Sequence, residues 1–204
     1  MRKLVGISQK IKRVWLDAVL ERLVKSTNAA ELRTFLEQHL KNDLPGKASR
    51  AKTMGIILRI WSGIPPERVE LRNRAVALLP QLSGQERLWL HWGMTALAYP
   101  FFRDTTEVVG RLLALQDDFT TLQVQDRLMT NWGDRVTSKE AAQKLLHTLV
   151  DWEVLRSTKS RGHFLLVRKM SASSSARFAW PAPKSIGAAS FFTSRRRQLD
   201  RTRL

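Results

Sequence analysis

Apolar residues recur at helical spacing along most of the chain. Ile11, Val14, Trp15, Ala18, Val19 and Leu23 fall on one side of a helix over residues 11–25. Asn28 is placed to cap the next helix, whose stripe is Leu32, Phe35, Leu36 and Leu40, and Leu44-Pro45-Gly46 ends it. Ser49 then caps a helix with Met54, Ile57, Leu58 and Trp61 inside, and Gly63-Ile64-Pro65-Pro66 breaks the pattern. Pro66 suits the first turn of a helix over 67–79, where its missing N–H costs nothing. Ser83 with Glu86 forms a capping box that opens a helix through Leu88, Trp89, Trp92 and Leu97 and ends before Pro100. A further helix spans 105–115 on Val108, Val109, Leu112 and Leu113. At this spacing the tryptophans belong to the core rather than to base-stacking platforms.

The pattern changes in residues 117–169. The adjacent acids Asp117-Asp118 fit a loop; Thr120 or Thr121 caps a helix carrying Val124, Leu128 and Trp132, and Gly133-Asp134 breaks it. Thr137 with Glu140 reads as a capping box for a second helix with Ala142, Leu145, Leu146 and Leu149 buried. Its opposite side offers Ser138, Lys139, Gln143, Lys144 and His147. Two short extended runs follow, Val154-Leu155 and residues 163–167, joined by a basic tip with Lys159 and Arg161. Helix, turn, capped helix and basic hairpin follow the order of a winged helix-turn-helix, which would give its second helix to a major groove and its hairpin to phosphate. The plainer alternative is a helical hairpin and a β-hairpin packed for stability alone.

The expected fold class is therefore mainly α. A helical bundle (1–116) leads into a winged helix-turn-helix with a small β-hairpin (117–169). A Ser/Arg-rich basic tail (170–204) follows, with too few apolar residues to order unless bound.

Charge sharpens the choice of partner. Among 204 residues, 35 Lys+Arg face 18 Asp+Glu, a net charge of +17, and such self-repulsion is relieved by an anionic partner such as nucleic acid. Lys47, Arg50 and Lys52 gather at one expected helix start, where a bound phosphate would turn an unfavourable dipole contact into a favourable one; a solvated basic loop is the alternative. Arg195, Arg196 and Arg197 make the tail a sequence-blind phosphate arm. Cysteine is absent, which removes disulfides, thiolate metal sites and cysteine nucleophiles. The four histidines lie on different elements without metal-ligand spacing, and neither GxGxxG nor GxxxxGK[ST] occurs. These features point to a non-enzymatic protein without cofactors. No apolar run is long enough to span a bilayer and no secretory signal stands at the start, so a cytoplasmic protein is expected.

Three stretches together resemble the BrxA family of bacteriophage-exclusion (BREX) defence islands. They are SRAKTMGIILRIW, YPFFRDTTEVV and WGDRVTSKEAAQKLLHTLVDWEVL, with the family's features falling on residues 47–52, 99–104 and 137–155. The resemblance covers roughly residues 10–167 as a pattern; the tail departs from it. It implies a mostly helical protein, likened in fold to a NusB-type RNA-binding protein, that binds DNA and works with other phage-defence proteins; that the DNA is double-stranded rests on the charge and the winged-helix order. Beside that reading stand an RNA-binding or protein-docking helical adaptor and a local transcriptional regulator.

Overall fold

The computed structural model describes residues 5–26 and 28–167; the tail and its Arg195, Arg196 and Arg197 lie outside the described residues. Within them the chain is mainly helical, with eight α-helices and one small antiparallel sheet. The helices are α1 (Arg13–Lys25), α2 (Ala29–His39), α3 (Lys47–Trp61), α4 (Val69–Ala77), α5 (Arg87–Ala98), α6 (Pro100–Leu115), α7 (Thr121–Trp132) and α8 (Val136–Asp151). Strand β1 (Asp118–Thr120) precedes α7, and β2 (Leu155–Ser157) and β3 (His163–Leu166) follow α8.

Local chemistry sets most boundaries. The Asn28 side chain accepts from the N–H groups of Ala30 and Glu31 and starts α2 as expected. Ser83 and Glu86 exchange side-chain and backbone hydrogen bonds, but one turn ahead of the regular α5 helix. Three expectations change. Helix α6 begins at Pro100 itself, five residues early, because proline's missing N–H is harmless in a first turn. The segment expected as one helix over 67–79 is a 3-10 turn, Pro66–Arg68, leading into the shorter α4. In α1 the buried side turns toward Leu16 and Leu20, because α2, α3, α4 and α5 all pack on it, and Val14 is left 58% exposed.

The sheet has the order β1-β3-β2, with Phe119 paired to Phe164 across β1 and β3, and Arg156 to Leu165 across β2 and β3. Asp118 therefore belongs to a strand, not to the loop expected at Asp117-Asp118. The first hairpin strand starts at Leu155, one residue later than expected, after Glu153 turns the chain with φ +57°. Five tryptophans (Trp15, Trp61, Trp92, Trp132, Trp152) are buried and Trp89 is half-buried, so they are core residues. Trp92, Phe102 and Trp152 form one aromatic cluster that joins α5, α6 and the end of α8.

An extended segment before α1 lies against α8. Ile7 and Ile11 are buried, and Gly6 takes φ +72°, where a Cβ would come 3.2 Å from the Tyr99 ring. The Ile11 N–H donates to Thr148 Oγ1 at 3.0 Å, and the Ile11 carbonyl accepts from Trp152 Nε1 at 3.0 Å. The Arg13 N–H donates to Asp151 Oδ1 at 2.8 Å.

One buried titratable group sets an acid limit on the fold. His91 is fully buried, its Nε2 lies 3.0 Å from Asp17 Oδ1, and its Nδ1 has no hydrogen-bond partner. Burial lowers its pKa, and the Asp17 contact only partly opposes this. The folded state thus keeps His91 neutral where the unfolded chain, with an ordinary pKa of about 6.5, takes up a proton. Its contribution is complete above about pH 6.5 and is lost as pH falls from there toward the lowered value, at up to about 1.4 kcal/mol per pH unit. Melting temperature should drop between about pH 6.5 and pH 5 in the parent, and His91→Gln should flatten that limb. A parallel acid limb in both proteins would remove His91 as its cause.

Candidate nucleic-acid interface

The turn between α7 and α8 is held by short-range contacts. Thr120 caps α7 in a full capping box with Gln123. Gly133 leaves the helix at φ +77°, a backbone region that side chains disfavour. The Arg135 guanidinium donates to the Trp132 carbonyl at 2.7 Å, and Lys139 pairs with Asp134 at 2.6 Å. Gln125 Nε2 donates to the Lys139 carbonyl at 3.0 Å and fixes α7 on α8.

Helix α8 buries Ala142, Leu145, Leu146 and Leu149 as its periodicity requires, with Ala141 and Thr148 beside them. Its start differs from expectation. The helix begins at Val136 with Arg135 as N-cap and no side-chain cap, so the Thr137–Glu140 box does not form. Ser138 is turned inward, 5% exposed, with its Oγ unpartnered, and is removed from the set of groove-facing residues. Gln143, Lys144 and His147 are exposed together on one side. Lys139 is half-buried and committed to Asp134. His147 is exposed by surface area but its ring is partly covered, and this desolvation, with the charges of Lys10 and Lys144 adding to it, lowers its pKa.

The hairpin supplies the second group of cations. Lys159 and Arg161 are exposed at its tip. The Gly162 carbonyl accepts from the Thr121 N–H at 2.9 Å, which anchors the tip to the start of α7. Arg156, on edge strand β2, is exposed too.

The early cluster at α3 does not assemble. Arg50 is 8% exposed, its Nε donates to Glu37 Oε1 at 2.6 Å, and Nη1 donates to the Leu44 and Pro45 carbonyls. It closes the α2–α3 connection and has no room for phosphate. Lys47 and Lys52 are exposed but five residues apart, about 140° around the helix. The expected Ser49 cap is also absent, since Gly46 is the N-cap.

Sequence reasoning overlooked two residues here and gave a third another role. Arg156 lies where a loop was expected to begin. Lys10 reaches α8 through the extended segment and pairs with Asp151 at 3.3 Å. Glu140, freed from capping, is exposed on the side that carries Gln143, Lys144 and His147. Among the described residues no group of three His, Cys, Asp or Glu could hold a metal ion, and no helix is long and apolar enough to cross a membrane. Comparison with protein-family models, curated proteins and solved structures finds no match to this chain.

Proposed function

We propose that the chain is a non-enzymatic double-stranded DNA-binding accessory protein that docks through a winged helix-turn-helix, with α8 in the major groove and the β2–β3 hairpin along phosphate. The observation that carries this reading is the order α6, β1, α7, α8, β2, β3 with the sheet order β1-β3-β2. In that arrangement one exposed helix side (Gln143, Lys144, His147) and one basic hairpin tip (Lys159, Arg161) belong to the same small unit. Lysine and arginine supply affinity through phosphate, and Gln143 is suited to an adenine edge. Its place in a bacteriophage-exclusion system, beside other defence proteins, rests on the resemblance of residues 47–61, 99–109 and 132–155.

A mobility-shift titration with two unrelated duplexes of equal length, at about 50 and 200 mM salt, tests the reading. Three or more phosphate contacts predict affinity falling on the order of tens-fold across that range on both duplexes. Binding that ignores salt, or no binding, would overturn it. A protein-docking role for the same unit is favoured by Val136, 71% exposed at the start of α8, and by the Glu140 carboxylate on its open side. That reading predicts no duplex shift at either salt.

A further inference from the structure

Away from α8, the ends of α3 and α5 and the turn between α3 and α4 enclose an open cavity of about 450 Å³, within the size range of small-molecule sites. Its walls are aliphatic, with Ile60, Ile64, Met94 and Leu97 among them, and two arginines, Arg59 and Arg68, line it as well. Several arginines among the described residues have no carboxylate within ion-pair distance; Arg59 and Arg68 are two of them that line one cavity together. Arg68 uses Nη1 on the Leu97 carbonyl at 2.8 Å, which caps the end of α5 but leaves its other N–H groups unassigned. Arg59 lies over the Tyr99 ring at 5.1 Å, and burial raises the Tyr99 pKa to about 12, so the phenol is neutral and cancels no charge.

An aliphatic cavity with two uncompensated guanidiniums asks for one kind of ligand: an apolar chain to leave water and one planar anion for the arginine fork. Base stacking has no platform here, because no aromatic residue lines the cavity. We propose that this cavity binds an aliphatic carboxylate, with the chain against Leu58, Ile64 and Leu97 and the carboxylate on Arg59 and Arg68. None of its lining residues is on α8 or the hairpin.

Isothermal titration with decanoate, and with decanol as its uncharged counterpart, tests the proposal on the full chain. Decanoate should bind saturably at one site, and decanol at least about tenfold more weakly, because charge-assisted hydrogen bonds are the strong ones. Arg59→Gln, an exposed change, should weaken decanoate by about tenfold without lowering the melting temperature. Ala98→Phe, which keeps both arginines but fills the lining, should abolish binding in a protein that still melts cooperatively. Equal binding of decanoate and decanol, parent-like binding by both variants, or no heat of binding would each overturn it.

Discussion

Removal of residues 1–12 is expected to unfold the protein rather than trim it. Ile7 and Ile11 are each 1% exposed, and burying such a side chain contributes about 1.5–3 kcal/mol. Trp152 Nε1 would also lose its acceptor, the Ile11 carbonyl, and a buried donor left unpaired costs about 1–3 kcal/mol. Together these approach the whole stability of a domain, about 5–15 kcal/mol. The milder Ile11→Ala should cost about 2–5 kcal/mol. Urea unfolding of the truncated chain, Ile11→Ala and the parent checks this. A truncated chain with the parent's midpoint and slope would show that the segment is ornamental. The same logic predicts that residues 117–169 do not fold when cut out alone. Trp132 then loses Asp104, which accepts from its Nε1 at 3.0 Å, and its T-shaped contact with Phe101, ring centroids 4.9 Å apart.

What the sequence reveals and what it hides follow the range of the interactions involved. The Asn28 cap, a threonine cap at 120 or 121, the Gly133 break and the Leu145–Leu146–Leu149 stripe are decided within a turn or two of helix, and each is legible; the second half of the Thr120–Gln123 box is not among them. Arg50 is not, because its partners include Glu37, thirteen residues back on another helix. A basic run at a helix start looks the same whether its arginine faces solvent or a carboxylate. Strand β1 is three residues long and begins with an acid; only pairing with β3, more than forty residues away, makes it a strand. The inward turn of Ser138 depends on where α8 starts, and that start is set by Arg135 rather than by the Thr137 hydroxyl. Lys10 could not have been assigned to α8 without the long-range bond between Ile11 and Thr148.

The candidate interface is smaller than the sequence suggested and correspondingly easier to test. Ser138 and Arg50 leave it, Lys139 is partly engaged, and exposed charge concentrates on Lys144, Lys159 and Arg161 with Gln143 and His147 beside them. Losing a phosphate contact should cost the same on every sequence, whereas losing a base contact should cost about 1–3 kcal/mol on the preferred site alone. The most direct measurement is a salt series of duplex titrations on the parent and on Lys144→Ala/Arg161→Ala, both changes being at exposed positions that leave the core intact. The account predicts that the double variant melts like the parent, binds unrelated duplexes more weakly by about tenfold or more, and has a salt slope shallower by about two phosphate contacts. A double variant that binds duplex as tightly as the parent, with the same slope, would contradict the placement of DNA on α8 and the hairpin.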